Sequence, residues 1–200
     1  KPPQGRRLHI QGALRGWWKM RGKVIIIALI AAALIGAALI VLTLRGSGRS
    51  VGVNVGDQVP NDWFTLPNGT IIYLDQLRGH YVLLYLVTTW CDACALGVSM
   101  LGHDAAAYAA RGIYVVILEQ YNDLGYQGMP ITSFVRSFAG NNVPRNFVEG
   151  NASLQLTKTF NPTLQLDVYY LLSPNGTVVY RGFNLPNTYG ELLPIIAKLK

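Results

Sequence analysis

Cysteine and histidine are both scarce in this 200-residue chain. Its two cysteines are Cys91 and Cys94, and its three histidines, His9, His80 and His103, are scattered along the sequence. A structural zinc site normally has four Cys or His ligands at regular spacing, so a metal site at the two cysteines is disfavoured. A second alternative, two packed thiols that take no part in chemistry, is disfavoured to the same extent. The sequence therefore predicts no metal site, and the cysteine pair itself is the first candidate for chemistry.

Acidic residues are absent from the first 50 positions, which hold nine of the 17 lysines and arginines. The other positions hold eight basic and ten acidic residues, so their net charge is −2 although the whole chain carries +7. A nucleic-acid-binding protein would carry its basic residues across a folded face. Here they are concentrated at one end, so the sequence predicts no nucleic-acid partner and indicates a membrane topology instead.

Charged residues are also absent from the 21-residue run Val24 to Leu44, which is long enough to span a bilayer as a helix. Seven basic residues precede it. The positive-inside rule therefore predicts a basic cytoplasmic tail at residues 1–23, a lipid-embedded helix at 24–44 and an extracytoplasmic C-terminal domain. The alternative is a cleaved signal peptide, which would have a shorter apolar core and a clean Ala-x-Ala site. The sequence favours a single-pass protein of the cell membrane.

Small residues recur at four-residue spacing within this run, at Ala28, Ala32 and Gly36. Small residues at this period let a second helix approach closely. We therefore predict a transmembrane helix partner at these positions. The alternative is ordinary composition, because alanine is common in membrane-spanning helices.

The rest of the chain has the length of one domain, residues 53–200, after a flexible linker at 45–52 that is rich in glycine and serine. Strand and helix patterns alternate along it, and the first and last strand pairs are hairpins around Asn-Gly turns. This order predicts an α/β thioredoxin-like sandwich with an N-terminal β-hairpin extension. The predicted elements are strands 64–66 and 70–74, a helical turn 75–77, strand 81–88, helix 95–111, strand 113–118, a polar loop 120–130, helices 131–139 and 152–160, strands 168–172 and 177–183, and helix 189–199.

The cysteine pair lies at a junction between a strand and a helix. The sequence Trp90-Cys91-Asp92-Ala93-Cys94 directly follows the apolar run 81–87 and directly precedes the predicted helix. The first thiol lies near the helix N-terminus, where the positive end of the helix dipole stabilises a thiolate. The second thiol is one turn further on and can close an intramolecular disulfide. The pattern is therefore typical of a redox centre.

Four stretches in a fixed order resemble one family. They are Val55–Pro60, Leu74–Gly79, Val82–Cys94 and Ser173–Gly176. In this order the sequence resembles the membrane-anchored thioredoxin-like thiol–disulfide oxidoreductases of the cytochrome c maturation type, within the alkyl hydroperoxide reductase superfamily. The resemblance covers residues 53–199.

This resemblance implies a role for each residue of the motif. Cys91 would be the attacking thiol and Cys94 the resolving thiol, and the two would form a disulfide in the oxidised protein. Trp90 matches the aromatic residue that the family has before the first cysteine, and Asp92 is similar to an acidic residue in some members. The family acts on protein thiols and disulfides and needs no bound cofactor.

The sequence departs from the family at two positions. Ala93 replaces the usual proline of the motif, and Asp167 takes the position of the family's cis-proline. We expect Asp167 to lie close to the two cysteines. Glu119, at the end of the strand after the motif helix, is either a proton relay beneath the site or a solvated acid at the end of a strand.

Three sequons for N-glycosylation, at Asn68, Asn151 and Asn175, agree with an extracytoplasmic domain. The sequence as a whole therefore predicts a membrane-anchored extracytoplasmic thiol–disulfide oxidoreductase that acts on a protein partner. The alternative is an accessory or assembly subunit of a larger membrane complex of the respiratory type, with a structural disulfide and no catalysis. Whether the chain is an enzyme is left open between these two.

Overall fold

The computed structural model describes residues 50–199 and, before them, Leu34 alone. Residues Arg49–Lys200 form one compact unit. The predicted tail at 1–23 and most of the linker lie outside the described residues. So does the predicted transmembrane helix at 24–44, with its contact residues Ala28, Ala32 and Gly36, apart from Leu34. Within the described part of the chain, no helix is long and apolar enough to cross a membrane.

A seven-stranded mixed sheet forms the centre of the domain. The strands lie in the spatial order β2-β1-β5-β4-β3-β6-β7. Strand β3 runs parallel to β4 and antiparallel to β6, and β1 joins the sheet by antiparallel pairing with β5. The strands are β1 (Trp63–Thr65), β2 (Ile71–Tyr73), β3 (Tyr81–Val87), β4 (Ile113–Glu119), β5 (Phe147–Ala152), β6 (Asp167–Leu172) and β7 (Val178–Phe183).

Helices cover both faces of this sheet, because the central strands are apolar on both sides. One face packs against α1, α2, α3 and α5, and the other packs against α4 and a 3₁₀ helix at Leu74–Leu77. The helices are α1 (Asp92–His103), α2 (Ala105–Ala110), α3 (Ile131–Ala139), α4 (Leu154–Phe160) and α5 (Leu185–Ala197). The predicted α/β class and the N-terminal hairpin are confirmed.

The first described residues form an N-terminal strap, residues 50–59, against the start of β7. The backbone N–H of Gly56 donates to the carbonyl of Val178, and the N–H of Val178 donates to Asp57, both at 2.9 Å. The N–H of Val59 donates to the carbonyl of Gly176, also at 2.9 Å. The chain then crosses to the opposite edge of the sheet, where it forms β1 and β2.

Four sequence predictions of elements were wrong or incomplete. The helix predicted over 152–160 begins only at Leu154, because Ala152 is the last residue of β5. The strand β5 was not predicted, and the helix predicted over 95–111 is divided at Asp104, whose carboxylate accepts a hydrogen bond of 2.6 Å from the Tyr189 hydroxyl. The last helix begins at Leu185 rather than at Tyr189, and Pro194 lies inside it. Each difference depends on a partner that is distant in sequence.

Candidate functional site

The two cysteines lie at the N-terminus of α1, directly beyond the end of β3. Cys91 is the N-cap residue, and its Sγ accepts the backbone N–H of Cys94 at 3.2 Å. Cys91 is 7% exposed whereas Cys94 is fully buried, and both are free thiols in this structure. A sulfur that caps a helix N-terminus is well placed to carry negative charge. Cys91 is therefore the sulfur that an incoming disulfide can reach, and Cys94 lies beneath it.

The buried thiol of Cys94 is held in its neutral form. Its Sγ donates a hydrogen bond to the carbonyl of Leu166 at 3.1 Å. Burial raises the pKa of Cys94 far above its ordinary value, and the neighbouring Cys91 and Asp167 raise it further. Cys94 therefore needs a route for its proton before it can act as a nucleophile.

The Leu166 carbonyl is positioned by a set of buried amides. It also accepts the backbone N–H of Thr88 at 3.2 Å and the side-chain amide of Gln120 at 3.2 Å. The same Gln120 amide donates to the Gln165 carbonyl at 2.8 Å. Because one side chain contacts two successive carbonyls, the segment before β6 has a defined position beside Cys94.

Asn161 completes this amide network. Its side chain donates to the Gln165 carbonyl at 2.7 Å and accepts the Gln165 N–H at 2.9 Å, and it also donates to the Gln120 side chain. The exposed residue Leu164, between these groups, has φ +55°. The sequence did not identify Gln120 or Asn161, and the only signal for them is that two amide residues follow β4 and α4 directly.

Asp167 lies on the same face of the sheet as the cysteines. It pairs with Val87 at the end of β3, it is 6% exposed, and both carboxylate oxygens accept the backbone N–H of Leu185 at 3.1–3.2 Å. Burial raises the pKa of Asp167, and the hydrogen bond from Leu185 and the nearby Tyr85 hydroxyl oppose that rise. The structure thus places Asp167 near Cys94, while its role stays a prediction.

Trp90 is held by a loop that follows β4. The Asp123 carboxylate accepts the N–H of Thr89 at 2.8 Å and its hydroxyl at 2.6 Å, and the Trp90 indole donates to the Asp123 carbonyl at 3.0 Å. The Trp90 ring lies 4.9 Å from that of Tyr126. Asp123 thus holds the residues before Cys91, and the sequence gives no signal for it because its partners precede it by more than 30 positions.

The backbone of this loop is strained. Asn122, Asp123 and Leu124 all have left-handed φ angles, between 48° and 58°. Non-glycine residues adopt this conformation at a cost, so the interactions of Asp123 with Thr89 and Trp90 must hold it in place.

The other predicted supporting residues lie further from the sulfurs. Asp92 is exposed in the first turn of α1. Burial and the nearby Asp123 raise the pKa of Glu119 to about 7. Among the described residues, Glu119 makes no side-chain hydrogen bond to the motif, so its predicted relay role stays a prediction. The sequon residues Asn68, Asn151 and Asn175 are all exposed, and their glycosylation also stays a prediction.

Within residues 50–199, no group of three or more His, Cys, Asp or Glu side chains could hold a metal ion. The chemistry that the described groups offer is therefore that of two adjacent thiols with a nearby carboxylate.

Comparison with known proteins identifies the fold. No family model matches the sequence. The thiol-disulfide oxidoreductase ResA of Bacillus subtilis is 24% identical over 127 residues, which are 64% of this chain and 66%, just under two thirds, of ResA.

Solved structures agree with this similarity. A Chlorobium tepidum protein assigned as a thiol:disulfide interchange protein DsbE is 21% identical, with a TM-score of 0.55 over 73% of this chain and 98% of its own. A thioredoxin-like protein of Aeropyrum pernix is 20% identical, with a TM-score of 0.55 over 84% and 99%. A secreted Mycobacterium tuberculosis disulfide oxidoreductase is 23% identical, with a TM-score of 0.51 over 68% and 95%. The described domain therefore has a thioredoxin-like fold.

Proposed function

We propose that this chain is a thiol–disulfide oxidoreductase that acts on protein partners through Cys91 and Cys94. The observation that carries the proposal is the asymmetry of the pair. Cys91 caps the helix and keeps 7% of its surface exposed, whereas Cys94 is fully buried and donates its backbone N–H to the Cys91 sulfur. The similarity to ResA, which is itself a thiol-disulfide oxidoreductase, supports the same activity.

The reaction proceeds in two exchanges. The Cys91 thiolate attacks one sulfur of a partner disulfide, and the partner's other sulfur leaves as a thiolate. Cys94 then loses its proton and attacks the Cys91 sulfur of this mixed disulfide. The second partner sulfur leaves, so the partner is reduced to a dithiol and Cys91 and Cys94 are oxidised to a disulfide. A further protein must reduce this disulfide again, and no bound cofactor takes part.

The finer assignment is a membrane-anchored enzyme of the cytochrome c maturation type. The uncharged run at residues 24–44 and the basic residues before it support an anchor with a cytoplasmic N-terminus, and the exposed sequons agree with an extracytoplasmic domain. In this arrangement Ala28, Ala32 and Gly36 face a second transmembrane helix, and the anchor contacts lipid.

One observation favours the alternative, an assembly subunit with a structural cysteine pair. The Cys94 thiol is fully buried and donates to a backbone carbonyl, which stabilises its neutral and unreactive form. A structural pair of this kind would exchange slowly with external disulfides.

A trapping experiment separates the two functions. The full chain with Cys94→Ser should retain partners as mixed disulfides at Cys91 in native membranes, because the resolving thiol is absent. Mass spectrometry should find these adducts only before reduction, and the matched variant Cys91→Ser should form none. Partners that co-purify equally well with both variants and survive reduction would instead establish the assembly role.

A further inference from the structure

The centre of the site contains a buried hydroxyl that has no hydrogen-bond partner. Tyr85 lies on β3 and is fully buried, and its hydroxyl makes no hydrogen bond of regular geometry among the described residues. Leaving a buried hydroxyl without a partner destabilises the folded state, because the group loses its hydrogen bonds to water and gains none. Phenylalanine would fill the same space without this cost, so packing alone does not account for tyrosine at this position.

A glycine in α1 makes room for this hydroxyl. A Cβ at Gly97 would lie 2.3 Å from the Tyr85 hydroxyl oxygen and 3.1 Å from a methyl carbon of Leu185. Glycine inside a helix is itself unfavourable relative to alanine. The Tyr85 hydroxyl therefore occupies a notch in the same helix that carries Cys94, one turn beyond the thiol.

The register of the sheet brings Asp167 to the same place. Asp167 pairs with Val87 and Tyr169 pairs with Tyr85, so the side chains of Tyr85 and Asp167 are diagonal neighbours on one face of adjacent strands. Leu185 lies beside both groups: its backbone N–H donates to the Asp167 carboxylate, and its side chain borders the same Gly97 notch as the Tyr85 hydroxyl. The Tyr85 hydroxyl and the Asp167 carboxylate thus lie on the sheet face that packs against α1, the helix that carries the Cys94 thiol.

The ionisable groups that shift the pKa of the Tyr85 hydroxyl all belong to the candidate site. Burial raises the pKa of Tyr85 well above its ordinary value, and Asp167, Cys94 and Cys91 raise it further. Tyr85 is therefore a neutral group with one proton to donate and a lone pair to receive another. Its hydroxyl also lies close enough to Asp167 to lower the pKa of that carboxyl.

We propose that Tyr85 relays the proton of the Cys94 thiol to the Asp167 carboxylate when Cys94 resolves the mixed disulfide. This inference rests on the proposed function. As the Cys94 proton moves to the Tyr85 oxygen, the Tyr85 proton moves to Asp167, and the Cys94 sulfur attacks the Cys91 sulfur. The bond between Cys91 and the partner breaks, and its electron pair leaves with the partner thiolate. The negative charge of Asp167 is thereby transferred to the leaving sulfur, and the partner disulfide is the only oxidant.

The two exchanges can be timed separately with dithionitrobenzoate as the disulfide. When the reduced full chain in mild detergent reacts with this reagent, attack by Cys91 releases the first thionitrobenzoate and resolution by Cys94 releases the second. In Tyr85→Phe and Asp167→Asn we expect the second release to slow by about a hundredfold, the lower range of general acid–base catalysis, while the first is unchanged. The double variant should be no slower than the slower single variant, because both residues serve one path.

The control is Tyr170→Phe, which removes a buried hydroxyl on the opposite face of the sheet, where it bonds to the Phe160 carbonyl. This variant should leave both releases unchanged. We also expect the rate of the second release to depend on pH through the Asp167 carboxyl in the wild type. This part of the pH dependence should be absent in Asp167→Asn. A normal second release in Tyr85→Phe would overturn the relay alone, whereas a wild-type chain that releases only one equivalent would overturn the proposed oxidoreductase and the relay together.

Discussion

The hydrogen bonds between Asp123 and Thr89 allow the stability of the loop beside Trp90 to be predicted as a change in the free energy of unfolding. The Asp123 carboxylate accepts two charge-assisted hydrogen bonds from Thr89, at 2.6 and 2.8 Å, and such bonds contribute about 1.5–3 kcal/mol each. Asp123→Ala removes both. It also lets the three left-handed residues of the loop relax. A left-handed backbone costs about 1–2 kcal/mol per residue, and less for Asn and Asp, so relaxation recovers about 2–4 kcal/mol in total. We expect a net loss of about 1–3 kcal/mol in the free energy of unfolding.

The matched variant is Thr89→Val, which removes only the hydroxyl bond. The Thr89 N–H still holds Asp123, so the strain in the loop remains and nothing is recovered. We therefore expect this variant to lose about 1.5–3 kcal/mol, as much as Asp123→Ala, although it removes half as many bonds. Urea denaturation gives both free energies, and hydrogen exchange of the Thr89 amide should lose protection only in Asp123→Ala. A loss in Asp123→Ala twice that in Thr89→Val, with the amide still protected, would refute the argument from strain.

Two further predictions concern helix packing and pH. A Cβ on Gly102 would lie 2.5 Å from the Cα of Ala139, so Gly102→Ala should lose about 1–3 kcal/mol. At Gly190 a Cβ meets nothing within 4 Å, so Gly190→Ala should gain about 0.5–1 kcal/mol; equal urea midpoints for the two variants would contradict this. Burial and Asp123 raise the pKa of Glu119 from 4.5 to about 7, so the native state binds its proton more tightly than the unfolded state and stability falls as pH rises across that range. Glu119→Gln should abolish this decline and gain about 1 kcal/mol above it, after discounting for solvent screening, and a pH series of urea midpoints that matches wild type would exclude this effect.

Helices and strands whose ends are marked by nearby residues in the sequence could be predicted from the sequence alone. Helix α3 runs from Ile131 to Ala139 as predicted, because Pro130 stands at its N-cap and Gly140 takes φ 89° after its last residue. Strand β3 is similarly an unbroken apolar run between polar residues. In both cases the deciding residues lie within a few positions of the element, so no tertiary contact was needed.

Strand β5 shows why other parts could not be predicted. The sequence Phe147–Ala152 has neither an apolar run nor a clear alternation, and it contains Gly150. It is a strand because β4 and β1 pair with it on either side. A Cβ at Gly150 would lie 2.6 Å from the Thr65 carbonyl oxygen, so the glycine permits the close approach of β1.

Some residues of the candidate site could likewise be predicted from the sequence, whereas others could not. Cys91 and Cys94 follow from the local motif, and the resemblance to a known family pointed to Asp167 as the residue in place of the cis-proline. Asp123 and Asn161 could not be found, because their hydrogen bonds connect loops that are 34 and 41 residues apart in the sequence. Which polar residue of a loop turns inward is decided by packing and not by spacing.

The N-terminal strap has a consequence for the order of folding during synthesis. Its Gln58 side chain bonds to the Asn175 carbonyl, 117 residues further along the chain, and its backbone pairs with Gly176 and Val178. Contacts of such long range form late, because closing the intervening chain costs entropy before any contact compensates it. The strap leaves the ribosome before the rest of the domain but cannot dock until β7 has been made. Val59, 7% exposed in the folded domain, therefore stays uncovered through most of translation, and the domain cannot complete its fold before its last strand emerges.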